Sequence, residues 1–183
     1  MIGCLGRWAV FPSFMPMPSM PKIVFVCYGN ICRSPFAEHY ARKRYQELGL
    51  SHTLFLSAGV GAVPGTHSPR NALPAAERFG VDLRAHRSVH VRDLQLDSSD
   101  TLIASDRHVF GQLVSQLGAT LDEVRGPGGS SVRLMMQELS VSGVRPVLDV
   151  PDPMGQDVRA YLKSYEIIAS AVDRLIGRLS SPT

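Results

Sequence analysis

Residues 22–35 constrain the fold more than any other part of the chain. They begin with Lys-Ile-Val-Phe-Val, a β-branched apolar run that is typical of a strand buried on both faces of a parallel sheet. A loop reading C-Y-G-N-I-C-R follows at residues 27–33, and Pro35 stands where the first turn of a helix would begin. The segment therefore predicts a strand, a tight loop and a helix, with the loop at the carboxyl end of the strand.

The remainder of the chain continues this alternation. Further strands are predicted at residues 53–57, 101–104 and 132–136, and further helices at 68–79, 106–117 and 156–179, with a glycine-rich loop at 126–131. Strands that alternate with helices favour a parallel sheet with right-handed crossovers. We therefore predict an α/β fold of three layers, in which a four-stranded parallel sheet carries helices on both faces in a flavodoxin-like arrangement. Ligands bind such sheets at the carboxyl ends of the strands.

Length and composition indicate one soluble domain. A chain of 183 residues suits a single core, so we assign residues 22–183 to one domain and expect the Pro- and Met-rich residues 1–21 to be a disordered N-terminal extension. No run reaches the roughly 18 apolar residues of a membrane span, and a net charge of +3 does not favour nucleic acid. The 3 cysteines are too few for a disulfide framework, which favours a reducing compartment, the cytoplasm. We expect a monomer or weak dimer.

Cys27 and Arg33 bracket a loop of the size that encloses a tetrahedral oxyanion. Backbone N–H groups of such a ring point inward, and the positive end of the following helix adds to the attraction. The Arg33 guanidinium offers a planar fork for two phosphate oxygens. The same donors favour a thiolate at Cys27, which would attack phosphorus and form a phosphocysteine. The residues between them, Tyr28, Gly29, Asn30, Ile31 and Cys32, would form the phosphate loop.

The competing interpretation of this loop is an ordinary strand-to-helix turn with a buried, inert cysteine. The pattern C-x5-R has only modest specificity by itself, but an apolar strand before it and a helix after it make the phosphate loop the better interpretation. The other common phosphate cradle, G-x-x-x-x-G-K-[ST], is absent from residues 27–35, so a nucleotide-hydrolysing loop is not supported.

Two polar residues are expected to support the loop. Ser34 can donate a hydrogen bond to the Cys27 thiolate, or it can cap the helix that follows. Asn30 lies in the middle of the loop, and asparagine tolerates left-handed backbone and binds neighbouring amides. It can therefore brace the ring, or it can be a simple turn residue.

Departure of an alkoxide or phenoxide requires a proton donor. Asp152 is a candidate because the prolines on both sides of it, in Val-Pro-Asp-Pro at residues 150–153, stiffen the loop and fix the direction of the carboxyl. Asp106, Asp149 and Asp157 are alternatives, and any single aspartate among 16 acidic residues can equally be a solvated surface group.

The chain resembles the low-molecular-weight protein tyrosine phosphatase family, which also includes protein arginine phosphatases and thioredoxin-coupled arsenate reductases. The resemblance spans residues 22–179. It rests on V-C-Y-G-N-I-C-R-S-P at 26–35, S-A-G at 57–59, H-R-S at 86–88, S-D-R-H at 105–108 and D-P at 152–153. It implies the four-stranded fold described above, with Cys27 as nucleophile, Arg33 as phosphate binder and Asp152 as general acid. It also implies a supporting hydrogen-bond network of Asn30, Ser34, Ser57 and His86, although Ser57 and His86 can also serve ordinary capping roles.

The chain departs from the family pattern around the loop. Family tyrosine phosphatases often carry aromatic residues just after the D-P pair, whereas Met154 and Gly155 follow here, and Tyr28 is the residue that can supply an aromatic face instead. Arginine phosphatases of the family carry Thr before the second loop cysteine. The apolar Ile31 at that position fits a phenyl ring better.

Cys32 has two interpretations. It can form a reversible disulfide with Cys27 that protects the nucleophile from over-oxidation, or it can be a small buried apolar residue. The family's arsenate reductases need two further cysteines near the third strand. No cysteine follows Cys32 in this chain, so that chemistry is excluded.

The sequence therefore predicts a hydrolase of phosphotyrosine in proteins, with a phosphorylated protein as its partner and with no metal or cofactor. A protein arginine phosphatase is the alternative enzyme. A phosphate-binding or redox-sensing module without turnover is the alternative outside enzymes.

Overall fold

Four strands form a single parallel sheet in the computed structural model, which describes residues 20–117, 131–135, 137 and 149–180. The strands are β1 (Lys22–Cys27), β2 (Leu54–Gly59), β3 (Thr101–Ala104) and β4 (Ser131–Leu134). The helices are α1 (Arg33–Glu47), α2 (Ala72–Glu77), α3 (Arg107–Leu117) and α4 (Val158–Leu179), and a short 3₁₀ helix lies at Val91–Asp93. This confirms the predicted α/β fold with a four-stranded parallel sheet.

The strand order is β2-β1-β3-β4, which puts β1 between the strand that follows it in sequence and a strand from the second half of the chain. All three pairings are parallel, and Cys27 at the end of β1 is opposite Gly59 at the end of β2. The connection after β1 runs to the strand on one side of it, and the connection after β2 returns to the strand on its other side, so the direction reverses at β1. Such a switch point opens a crevice at the carboxyl ends of the strands. The loop after Cys27 lies at this crevice.

The core has two layers because side chains alternate across the sheet. Ile23 and Phe25 of β1 pack on one face with α1, α2 and α4, whereas Val24 and Val26 pack on the other face with α3. Helices therefore cover both faces, as predicted. All four residues are buried, which explains why β1 is an uninterrupted apolar run in the sequence.

Aromatic stacking joins the first helix to the last. The Phe36 ring in α1 stacks on the Tyr165 ring in α4, with centroids 3.9 Å apart and an angle of 5° between the planes. Phe79 packs edge-on against Phe36 at 5.2 Å. Phe36 and Tyr165 are fully buried, and Phe36 is three residues after Arg33 in α1, so this contact fixes the helix that begins at the loop.

Several predicted boundaries differ from the observed ones. The helix predicted at 68–79 is confined to Ala72–Glu77, because Pro74 lacks an N–H and is tolerated only within a first helical turn. The strand predicted at 53–57 extends to Gly59, and that predicted at 132–136 occupies Ser131–Leu134. The final helix begins at Val158, where the Asp157 carboxylate accepts a hydrogen bond from a first-turn amide at 3.0 Å.

Residues 1–19 of the predicted extension and residues 126–130 of the predicted glycine-rich loop lie outside the described residues. Among the helices of the described part, none has both the length and the apolar character needed to cross a lipid bilayer.

Candidate active site

The loop between β1 and α1 wraps around the sulfur of Cys27. Cys27 is buried at the end of β1, and the Asn30 amide donates a hydrogen bond to its Sγ at 3.3 Å. The chain then enters α1 at Arg33, so the positive end of a 15-residue helix begins directly after the loop. An anion above Cys27 would therefore meet inward amides and a helix N-terminus.

The Arg33 side chain is only 4% exposed, and it is held by two carboxylates. Its Nη1 donates to Asp106 Oδ2 at 2.7 Å and to the Val150 carbonyl at 3.1 Å, and its Nη2 donates to Asp152 Oδ2 at 2.7 Å. The Nε atom is buried and has no hydrogen-bond partner among the described residues. It is a donor that an oxyanion would satisfy.

The four aspartates considered from the sequence occupy different places. Asp106 holds Arg33 and also accepts an amide of the first turn of α3 at 2.7 Å. Asp149 pairs with Arg107 at 2.7 Å outside the cleft, and Asp157 caps α4. Asp152 lines the same cleft as Cys27, with its side chain 49% exposed. It is therefore the aspartate with a carboxyl that solvent and a bound molecule can both reach.

Asn30 joins the loop to three other segments. Its backbone is left-handed, with φ of 52°, a conformation that asparagine tolerates better than most residues. Its Nδ2 donates to the hydroxyls of Ser34 and Ser57, each at 2.9 Å, and its Oδ1 accepts from the Val89 amide at 2.7 Å. Its carbonyl oxygen accepts from His86 Nε2 at 2.8 Å. The predicted supporting residues therefore meet at Asn30.

Ser34 does not cap α1, because it lies inside the helix and the residue before Arg33 occupies the cap position. Its Oγ lies 3.0 Å from Cys27 Sγ and 3.2 Å from the Ala58 carbonyl. A hydroxyl has one proton, so it can serve only one of these acceptors at a time. When Cys27 is a thiolate, Ser34 is the only possible donor in this pair.

Glu38 is a buried member of the network that sequence reasoning missed. Its Oε2 accepts a hydrogen bond from Ser57 Oγ at 2.5 Å, and its Oε1 pairs with Arg42 at 2.8 Å. Burial raises the pKa of the Glu38 carboxyl. The available signal was its spacing, because Glu38 follows Ser34 by four residues and therefore lies on the same face of α1.

Two glycines, one at the end of β2 and one just after it, allow the phosphate loop to lie close to this segment. A Cβ atom on Gly59 would lie 2.5 Å from the Tyr28 carbonyl oxygen and 2.8 Å from the Asn30 amide. A Cβ on Gly61 would lie 2.6 Å from the Tyr28 ring. Any side chain at either position would displace the loop or its aromatic residue.

The loop forms one wall of a cleft of about 330 Å³. Tyr28 and Ile31 of the loop line it, and Val63 and Met154 stand at its rim. Tyr28 is 50% exposed and lies over Gly61, with its ring centroid 6.4 Å from that of His108. Arg33 and its partner Asp152 also line the cleft, so an ion pair meets largely apolar walls there.

Cys32 is buried beneath this cleft. Its Sγ lies 3.8 Å from Met154 Sδ and 3.6 Å from the Tyr161 hydroxyl, and its carbonyl accepts from Tyr165 at 3.3 Å. Burial raises the pKa of the Cys32 thiol to about 12. Cys32 is therefore a neutral thiol at physiological pH.

The family model described as low molecular weight phosphotyrosine protein phosphatase matches residues 22–182. A probable low molecular weight protein-tyrosine-phosphatase, EpsP of Ralstonia nicotianae, is 28% identical over 161 residues, which cover 86% of this chain and 94% of EpsP. Among solved structures, a low molecular weight protein tyrosine phosphatase from T. tengcongensis has a TM-score of 0.71 at 28% identity, covering 86% of this chain and 99% of its own.

A mutant of the YwlE arginine phosphatase with a phosphorylated active-site serine has a TM-score of 0.73 at 26% identity, covering 87% of this chain and 96% of its own. Tyrosine and arginine phosphatases are thus both similar to this chain in fold. The match of the family model extends over the whole sheet, the loop and the residues around it. The chain belongs to the low molecular weight phosphotyrosine protein phosphatase family.

Proposed function

We propose that this chain hydrolyses phosphotyrosine in proteins through a phosphocysteine intermediate. The observation that carries the proposal is the meeting of the Cys27 thiol, the Arg33 guanidinium and the Asp152 carboxyl at one cleft. Each has the chemistry of one part of the reaction: a nucleophile, a phosphate binder and a proton donor.

In the first step, the Cys27 thiolate attacks phosphorus while the bond from phosphorus to the phenolic oxygen breaks. Ser34 donates its hydrogen bond to the thiolate, as the 3.0 Å contact supports. The loop amides and Arg33 hold the phosphoryl oxygens, and protonated Asp152 gives its proton to the departing phenolic oxygen. The products are tyrosine and phosphocysteine.

In the second step, Asp152 accepts a proton instead of donating one. Its carboxylate takes a proton from a water molecule as the water oxygen attacks phosphorus and the bond between sulfur and phosphorus breaks. Inorganic phosphate leaves, Cys27 returns to the thiolate, and Asp152 again carries a proton.

Substrate must separate Asp152 from Arg33. Arg33 Nη2 donates a hydrogen bond to Asp152 Oδ2 at 2.7 Å. A bound phosphate oxygen would compete with Asp152 for this donor. A phosphate oxygen in this place would leave Arg33 in contact with Asp106 and would release Asp152 to face the departing oxygen.

Four residues are proposed to position the loop rather than to touch the substrate. Asn30 and Ser34 fix the ring and the nucleophile, and Ser57 and His86 hold Asn30 in place. The hydrogen bonds that join these four residues to one another and to Cys27 are buried, and buried polar groups with complete hydrogen bonding rigidify a site.

The test of the proposal is hydrolysis of matched phosphopeptides. We expect kcat/KM for a phosphotyrosine peptide to exceed that for the phosphoarginine peptide by about tenfold or more, because Ile31 and Tyr28 give the cleft apolar walls. The assay runs with a metal chelator, and release of inorganic phosphate is measured. A reversed preference would favour the arginine phosphatase, which the similarity to YwlE keeps as the second candidate. Stoichiometric phosphate binding without turnover would favour the non-enzymatic phosphate-binding module.

Replacing Tyr28 with alanine should raise KM for aryl phosphates by about three- to tenfold, because a ring-on-ring contact contributes about 0.5–1.5 kcal/mol beyond its buried area. Gly61 leaves room for the Tyr28 ring at the cleft wall. Steady-state kinetics on phenyl phosphate measure the effect. Tyr28→Phe is the matched control, since it keeps the ring and removes the hydroxyl. An unchanged KM in Tyr28→Ala would remove Tyr28 from substrate binding.

Two further expectations accompany this proposal. Both described cysteines are free thiols, which supports a reducing compartment such as the cytoplasm. Cys32 stays a candidate redox partner for Cys27, although a thiol with a raised pKa is a poor nucleophile and would close the disulfide slowly.

A further inference from the structure

We propose that Glu38, His39 and His86 form an inhibitory binding site for a divalent transition-metal ion such as Zn²⁺, on the side of the phosphate loop that faces away from the cleft. One ligand atom from each of the three residues lies within 4.8 Å of the others. Glu38 and His39 are neighbours in α1, and His86 comes from the segment after α2. None of the three lines the cleft in which phosphate would bind.

Two imidazoles and a carboxylate are a set of ligands that suits zinc. Three protein ligands with a fourth position open to water are common in zinc sites, at bonds of about 2.0–2.2 Å. These bonds put ligand atoms about 3.3 Å apart on a tetrahedral ion. The three groups would therefore close by up to about 1.5 Å on binding.

His86 is already oriented as metal-binding histidines are. Its Nε2 must donate to the Asn30 carbonyl at 2.8 Å, because a carbonyl only accepts, so the neutral ring carries its lone pair on Nδ1. A histidine ligand usually donates its other N–H to a carbonyl or carboxylate in this way. The His39 ring lies edge-on to the His86 ring, at 6.0 Å between centroids. Burial lowers the pKa of both imidazoles, which keeps them neutral at pH 7.

Glu38 supplies the negative charge, and it too has an outer hydrogen bond, from Ser57 at 2.5 Å. Arg42 pairs with the same carboxylate at 2.8 Å, and its Nε donates to the Phe55 carbonyl at 2.9 Å. A cation at Glu38 would displace only the first of these contacts, and the side chain, which is 45% exposed, would keep the second. Burial raises the pKa of Glu38, and a metal ion would oppose that by favouring the carboxylate. His39 is only partly buried, so it gives the ion a path from the surface.

Two of the three ligands are linked to Asn30 by hydrogen bonds, one directly and one through Ser57. Metal binding would therefore act on the phosphate loop through Asn30. His86 binds the Asn30 carbonyl, and Glu38 binds Ser57, which accepts from the Asn30 side chain. The Asn30 amide in turn binds Cys27 Sγ. Closing the ligands around an ion would pull on both of these contacts and displace Asn30. The phosphatase would then turn over more slowly without the ion touching Cys27.

Zinc binding is tested first without turnover, so its result does not depend on the proposed activity. We expect Zn²⁺ to bind full-length Cys27→Ser with one ion per chain in isothermal titration calorimetry. Adding His39→Ala should weaken that binding by about tenfold or more. Adding His52→Ala, which removes an exposed histidine outside the cluster, should leave it unchanged. Two results would overturn the proposal. One is equal zinc binding with and without His39, and the other is absence of zinc binding once Cys27 is replaced by serine.

Inhibition is tested second, with each variant compared with its own zinc-free rate. Zn²⁺ should lower kcat for p-nitrophenyl phosphate and leave KM unchanged, because the ion does not enter the cleft. His39→Ala should need about tenfold more Zn²⁺ for the same inhibition. A rise in KM at unchanged kcat would show that zinc competes with the substrate in the cleft, and it would overturn the proposed site of inhibition.

Discussion

Replacing Cys27 with serine should lower kcat for p-nitrophenyl phosphate by a factor of about 10⁴ or more, because loss of a catalytic nucleophile has effects of that size. The serine hydroxyl has the size and place of the thiol but stays protonated at neutral pH. The loop amides and Arg33 are unchanged, so the variant should still bind vanadate or phosphate. Initial rates in chelator measure the loss, and calorimetry with vanadate measures the binding.

Cys32→Ser is the matched control, since it makes the same change in the same loop. Cys32 is buried against Tyr161 and Met154 rather than bonded to the loop amide that binds Cys27, so its loss should cost far less activity. Full activity in Cys27→Ser would contradict the phosphocysteine mechanism. Loss of both turnover and vanadate binding would mean that the change had disrupted the loop itself.

Replacing Asp152 with asparagine should slow the cleavage of phenyl phosphate by about 10²–10⁴-fold, the usual contribution of a positioned proton donor. The loss should be smaller for p-nitrophenyl phosphate, because p-nitrophenolate is a weak base and leaves with little help from a proton. Values of kcat/KM, which report the step that expels the leaving group, are measured for a series of aryl phosphates of increasing leaving-group basicity, and the slope of log(kcat/KM) against basicity should steepen in the variant.

Asp157→Asn is the matched control for this series. Asp157 caps α4, and asparagine caps a helix as well as aspartate does, so the variant should keep both its stability and its slope. An equal loss of kcat/KM across all leaving groups in Asp152→Asn would contradict the general-acid role. It would point instead to the contact with Arg33, which asparagine weakens for every substrate alike.

The fold followed from local sequence patterns that the structure bears out. The β1 run is apolar at every buried position because helices cover both faces of its strand. The boundaries of β3 were predicted to the residue. The helix predicted at 68–79 was too long, because the hydrophobic spacing did not account for the missing N–H of Pro74.

The site was less predictable than the fold. Asp152 was one of four candidate aspartates, and it differs from the others in lining the cleft, where it contacts Arg33 from 119 positions away. Ser34 had two interpretations, a helix cap and a partner of Cys27, and its place inside α1 at 3.0 Å from Cys27 Sγ favours the second. Glu38 was missed because it lies in α1 whereas its partner Ser57 lies in β2. Side chains from distant segments meet only when the sheet brings them together.

The sequence by itself determined that a tight loop with Cys27 and Arg33 ends a buried strand, because apolar periodicity, loop length and helix start are local properties of a chain. Only the tertiary structure decided how that loop is held and what surrounds it. Asp106 and Asp152 share Arg33, Asn30 receives contacts from three segments, and Cys32 is buried. These pairings depend on strand order and helix packing, which bring together charges and hydrogen-bond partners that are distant in the chain.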